Sequence, residues 1–103
     1  MAASELRVEV AAYLAERYWP GLDRSTARDA MRRLAAQAGA GANHAPMVLA
    51  CAFVPDEQAL FLLVSANSAD DVAAIGRRAG VSFDRVVEAV VLRSDEPRGP
   101  AEP

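Results

Sequence analysis

Lysine is missing from this chain of 103 residues, and all 11 basic residues are arginine. With 14 acidic residues the formal net charge is −3. That balance gives no electrostatic case for nucleic acid or for an anionic membrane as partner. Arginine suits phosphate and carboxylate recognition, but arginine without lysine, beside abundant alanine, reads first as the composition of a GC-rich genome. A single cysteine, Cys51, excludes an intramolecular disulfide and is compatible with a reducing cytoplasm. The single histidine, His44, has no Cys, Asp or Glu partner at metal-ligand spacing. No apolar run approaches the roughly 20 residues of a membrane span. The start, Met1 to Glu5, lacks a basic segment followed by an apolar stretch, so a cytoplasmic protein without a signal peptide is expected. No catalytic signature, metal-spacing motif or phosphate loop stands out, so no cofactor and no catalytic or metal residue is expected.

What is present is a pair of apolar runs hinged on one turn. Met47 to Val54 reads MVLACAFV and Ala59 to Ala66 reads ALFLLVSA. Pro55-Asp56-Glu57-Gln58 lies between them, with proline pre-setting φ for a turn. Both runs have strand length, and neither shows the period of two that a half-wet strand shows. Both faces of this hairpin therefore need cover. The chain's own helices can cover one face. A second copy of the chain is the expected cover for the other, which predicts a homodimer packed sheet to sheet.

Two helices are legible. Over 23–38, Asp23 is the N-cap after Pro20-Gly21. Ala27, Ala30, Met31, Leu34, Ala35 and Ala38 share a face, and Asp29 is placed to pair with Arg33 at i,i+4. Over 68–79, Ser68 and Asp71 approximate a capping box. Asp70 and Asp71 sit at the positive end of the dipole, Arg77 and Arg78 at the negative end, and Gly80 supplies a left-handed stop. Val72, Ile75, Gly76 and Ala79 form its buried stripe.

Val86 to Leu92 is β-branched and strand-like. Arg7 to Trp19 is ambiguous. Its alanines and glutamates suit a helix, whereas Val8, Val10, Tyr13, Tyr18 and Trp19 favour a strand. A helix there would leave the central hairpin without its parallel partner. A strand completes β-α-β-β-α-β, so the prediction is an α+β, ferredoxin-like fold: a four-stranded antiparallel sheet with two helices on one face, of the dimeric α/β-barrel type. One domain over 6–93 is expected, between a flexible start at 1–5 and a Pro-rich, disordered tail at 94–103.

Three segments carry a resemblance: AERYWPGL (15–22), FVPDEQALFLLVSANSADDV (53–72) and RRAGVSFDRVVEAV (77–90). They resemble a small bacterial family catalogued as a domain of unknown function, which is nickel-binding-protein-like and of actinobacterial type. The matching positions are Glu16, Arg17, Pro20, Gly21, Val54, Pro55, Asp56, Glu57, Arg78, Ala79, Gly80, Phe83, Asp84, Arg85, Glu88 and Ala89, and the resemblance spans about residues 10–92. It implies a ferredoxin-like fold and a dimer. The nickel-binding relative carries histidine where this chain has Arg17. The family's third strand often carries cysteines where this chain has Leu60-Phe61-Leu62-Leu63. Val64-Ser65-Ala66 replaces its Phe-Glu-Ala. Each change removes a possible metal donor, so no specific nickel site is expected, and any pocket near Arg17 should take an anionic or neutral ligand.

The candidate ligand-binding residues are Glu16, Arg17, Tyr18 and Arg85, polar groups at the ends of apolar strands. In the expected sheet the end of the first strand lies beside the start of the last, so Glu16 and Arg85 should meet across the ladder. They either form the polar mouth of a cleft or a charge pair that fixes register or the dimer. His44 reads as a solvated loop residue, Cys51 as an inert buried thiol, and Asp56 and Glu57 as solvated turn chemistry. Tyr13, Tyr18 and Trp19 read as core or dimer contacts. Three functions remain open: a small dimeric ligand-binding or stress-response protein, a dimeric α+β barrel enzyme of monooxygenase or isomerase type acting on a small apolar molecule, and a structural or interaction module. A pocket of a few hundred Å3 containing Glu16, Arg17 or Tyr18 favours the first two, and a filled interior favours the third.

Overall fold

A computed structural model describes residues 8–39 and 46–93. The expectations for 1–5, His44 and 94–103 lie outside these residues. The element order is β1 (Val8–Tyr18), α1 (Arg24–Ala38), β2 (Met47–Val54), β3 (Ala59–Ser65), α2 (Ala69–Ala79) and β4 (Arg85–Arg93). The sheet order is β2-β3-β1-β4, with every neighbouring pair antiparallel. β1 and β2 run in the same direction with β3 inserted between them, the split βαβ arrangement of a ferredoxin-like α+β fold.

The ambiguous segment is a strand because it is central. β1 is bonded to β3 on one side and to β4 on the other, and this double ladder outweighs the helix propensity of its alanines and glutamates. A type II geometry closes it: Pro20 and Gly21 occupy the middle of a turn in which Leu22 N donates to Trp19 O at 3.0 Å, with Gly21 at φ +82°. Gly21 N and Trp19 N also donate to Gln58, Oε1 and O respectively. The end of β1 is thereby tied to the tip of the β2–β3 hairpin, where Pro55–Glu57 form one 3-10 turn and Gln58 takes a left-handed φ of 51°.

Strand alternation sorts the side chains into rows. One face carries Cys51–Leu62–Ala15–Val86 and Val48–Val64–Tyr13–Glu88 in register. Both helices lie on this face. Ala27, Ala30, Leu34 and Ala38 of α1 and Val72, Ile75 and Ala79 of α2 join Ala15, Leu60, Leu62 and Val64 in one core cluster. The other face carries Ala50–Leu63–Leu14–Val87 and Ala52–Phe61–Glu16–Arg85, and neither of the two described helices covers it.

The helix ends follow local chemistry. Asp23 caps α1 by accepting from Thr26 N at 2.8 Å, and Ser68 Oγ caps α2 by accepting from Asp71 N at 3.1 Å. Asp29 pairs with Arg33 as expected. Gly80, at φ +77°, ends α2. Gly76 permits a close approach: Val81 N donates to its carbonyl at 2.8 Å, and a Cβ at this position would lie 2.6 Å from Val81 O. The hairpin has one irregularity, a register shift between Val48 and Ala50. It leaves Leu49 bulged on the edge strand.

Candidate functional site

Glu16 and Arg17 are adjacent in sequence and therefore point to opposite faces of β1. The four candidate residues do not form one site. Glu16, Tyr18 and Arg85 gather on the helix-free face, while Arg17 turns to the helix side.

On the helix-free face, Glu16 and Arg85 stand in register on β1 and β4, with Oε2 3.6 Å from Nη1. Tyr18, two residues along the same face, donates its hydroxyl to Glu16 Oε1 at 3.3 Å. Its ring meets Phe61 edge-on at 6.3 Å between centroids. Phe61, Tyr18 and Arg85 surround the Glu16 carboxylate, whose side chain is only 8% exposed, although the helices lie on the far side. The carboxylate in turn raises the Tyr18 phenol above its usual pKa, because a tyrosinate would sit beside a second negative charge.

On the helix side, Arg17 Nη1 donates to Ser82 O at 3.1 Å and lies 3.9 Å from Asp84 Oδ1. Its guanidinium stacks over Trp19 at 5.8 Å. Asp84 also accepts from Tyr18 N at 2.7 Å through Oδ2, and its own N–H donates to Glu16 O at 2.7 Å. Arg17 and Asp84 thus lock the entry of β4 onto the end of β1. This is a structural clamp, and Arg17 does not line the groove described next.

That groove lies between α1 and the edge strand β2, with a volume of about 570 Å3. Buried Leu60 and half-buried Cys51, Phe53 and Met31 form its apolar floor, and exposed Arg24 and Arg28 stand at its rim. Cys51 is less buried than the sequence suggests, being half-buried in the groove floor, while burial raises its pKa as for the unreactive thiol expected. Sequence reasoning missed this groove because its two sides come from α1 and β2, whose packing no local pattern states. The available signal was Arg24 in the first turn of α1, where no acidic residue stands. Tyr13 and Trp19 pack against the core as expected, and Asp56 and Glu57 are exposed at the hairpin tip.

The chain has a ferredoxin-like α+β fold, with one sheet face that neither described helix covers and a groove on the helix side. No known family model matches the sequence, and no curated protein does. Among solved structures the chain is similar to SCO4226 from Streptomyces coelicolor A3(2), with a TM-score of 0.67 at 16% identity over 76% of this chain and 94% of that one. At this identity the match concerns the fold. No helix among the described residues is long and apolar enough to cross a membrane. Among the described residues no three His, Cys, Asp or Glu side chains gather as metal donors. The residues at the motif position do not fit nickel. Arg17 has no lone pair to give, and both oxygens of Glu16 already face Tyr18 and Arg85.

Proposed function

We propose that the protein is a small homodimeric ligand-binding protein of the cytoplasm. Its subunits meet through their helix-free sheet faces, it has no nickel site, and its ligand occupies the groove between α1 and β2. The groove carries the reading: a volume of about 570 Å3 is of the size that holds a small organic molecule, and its floor is apolar.

The dimer is supported by the rows of the helix-free face. Ala50, Leu63, Leu14 and Val87 form an uninterrupted apolar row across all four strands, with Ala52 and Phe61 beside it. A contiguous patch of this kind is seldom left to solvent in a monomer. In this reading the Glu16–Tyr18–Arg85 cluster is the polar end of the dimer contact, where it fixes the relative placement of two otherwise featureless apolar faces. Glu16, Tyr18 and Arg85 are then interface residues, and the ligand contacts pass to the groove.

Native mass spectrometry of protein purified without added metal tests both parts. The expected result is a species of twice the 10.9 kDa chain mass, carrying a non-covalent adduct in part of the population. A single-chain species at micromolar concentration sinks the dimer. Binding is sunk by an adduct-free protein whose Cys51 thiol no small apolar probe protects from alkylation.

A further inference from the structure

We infer that the groove between α1 and β2 takes an amphiphilic anion: a molecule with one acidic head group held by Arg24 and Arg28 and an apolar body lying over Phe53, Leu60 and Met31. The inference rests on the ligand-binding reading above and specifies its chemistry.

The two arginines are one helical turn apart, at i and i+4, and both line the groove. Neither forms an ion pair or a side-chain hydrogen bond among the described residues, whereas Arg32 and Arg33 on the same helix both reach Asp29. Like charges at this spacing repel each other. Arg24 also stands in the first turn of α1, where a helix disfavours a cation; the one acid at that end, the Asp23 cap, is engaged with Thr26 N. The contrast with α2 is internal to the molecule. That helix has Asp70 and Asp71 in its first turn and Arg77 and Arg78 in its last, the arrangement that stabilises a helix. In α1 the first turn carries Arg24 in place of such acids, with Asp23 alone at the cap, and this arginine faces the groove.

An anion in the groove turns both costs into gains. Guanidinium groups bind carboxylate and phosphate through charge-assisted hydrogen bonds. The floor offers nothing comparable. Cys51 has only a weakly donating thiol, and Phe53, Leu60 and Met31 have no donor at all. A wholly polar anion such as inorganic phosphate would leave that floor wet, and a neutral hydrocarbon would leave the arginines unused. The occupant that satisfies both ends has a charged head and an apolar body. Carboxylate and phosphate monoester heads share this chemistry.

Three ligands of equal chain length separate the possibilities: decanoate, decyl phosphate and decanol. Cys51 reports occupancy directly, because a body lying on the groove floor shields its thiol from iodoacetamide. The expected result is that at least one of the two anions slows alkylation of Cys51 and binds about tenfold more tightly than decanol by calorimetry. The better anion identifies the head group. In Arg24→Gln and Arg28→Gln that advantage should shrink toward the affinity of the alcohol and lose its salt dependence. Both substitutions remove a repulsion, so the variants should melt no lower than the parent, which separates lost binding from lost fold. Decanol binding as tightly as both anions overturns the anion assignment and leaves the groove as a site for neutral apolar molecules. Absence of protection by all three overturns the assignment and the groove reading together.

Discussion

Replacing Arg85 by methionine tests whether the Glu16–Arg85 pair is an ordinary surface ion pair or the neutraliser of a buried charge. The Glu16 side chain is 8% exposed and that of Arg85 is 63% exposed, with 3.6 Å between the charged atoms. Exposed pairs contribute roughly 0.2–1 kcal/mol. Orphaning one member of a fully buried pair costs roughly 3–5 kcal/mol. Here the charge left behind is the buried one, and its remaining partner is the Tyr18 hydroxyl at 3.3 Å. The arginine removed was already largely hydrated, so the loss for Arg85→Met falls between the limits, at about 1.5 kcal/mol. Glu16→Met removes the carboxylate and its desolvation together and leaves Arg85 in water, so it should cost about 0.5 kcal/mol. The double variant has no orphan and should lie near the Glu16→Met value, giving a coupling of about 1.5 kcal/mol. Urea unfolding of the four proteins at neutral pH measures this, at one fixed chain concentration because a dimer's stability depends on concentration. A coupling carried by a shielded carboxylate should survive added salt better than an exposed pair would. Losses that add to within about 0.3 kcal/mol would refute the reasoning, since additivity means that Glu16 is not held by Arg85.

Other expectations follow from the same geometry. Gly76→Ala should lose about 2 kcal/mol in urea unfolding, because the new Cβ would meet Val81 O at 2.6 Å and the Phe83 ring at 2.8 Å, a clash that exceeds the ~1 kcal/mol helix-propensity gain; unchanged stability would mean that α2 does not approach the segment leading into β4 so closely. In a Tyr13→Phe background, ultraviolet titration should find the Tyr18 phenol ionising above its usual value, and Glu16→Gln should bring it down. The sign for stability is fixed: the folded phenol holds its proton more tightly than the unfolded one, so stability falls as pH rises past the unfolded value of about 10, and Glu16→Gln should soften that fall. Titration of metal-free protein with nickel should show no stoichiometric site, and binding tighter than about 10 μM that is lost in Glu16→Ala would show that the motif retains its metal without histidine.

The elements were legible because their signals are local or nearly so. Ser68 and Gly80 bracket α2 by capping and a left-handed stop, and the structure places both in those roles. β1 was not legible by propensity. Its assignment came from the need to complete a sheet, and the structure shows why that need decides: Val8–Glu16 pair with β4 and Tyr13–Tyr18 pair with β3, so the strand is held along its whole length. The Glu16–Arg85 contact was legible for the same reason, since an antiparallel β1–β4 pair brings the end of one strand to the start of the other.

The grouping of Arg17 with Glu16 failed on a rule as simple as those that succeeded. Neighbours on a strand face opposite ways, so a site read as consecutive charged residues on β1 is cut in two by the sheet. One half is the carboxylate cluster on the helix-free face. The other is the clamp of Arg17 on Ser82 and Asp84. On the proposed reading the sheet separates two kinds of partner. Its helix-free face has an apolar row long enough to receive an equal face and one charged cluster to fix how the two meet. Its other face is closed by α2 over β1 and β4 but stays open between α1 and the edge strand β2, where the packing of Leu60, Phe53 and Cys51 stops short of Arg24 and Arg28. In the sequence Asp29 marks Arg32 and Arg33 as paired by helical spacing, but nothing local shows that Arg24 and Arg28 face a groove. Only the position of β2 makes that pair the rim of a void. A second copy on the helix-free face would not obstruct that void, because the whole thickness of the sheet lies between them, so assembly and ligand binding can coexist in one small chain.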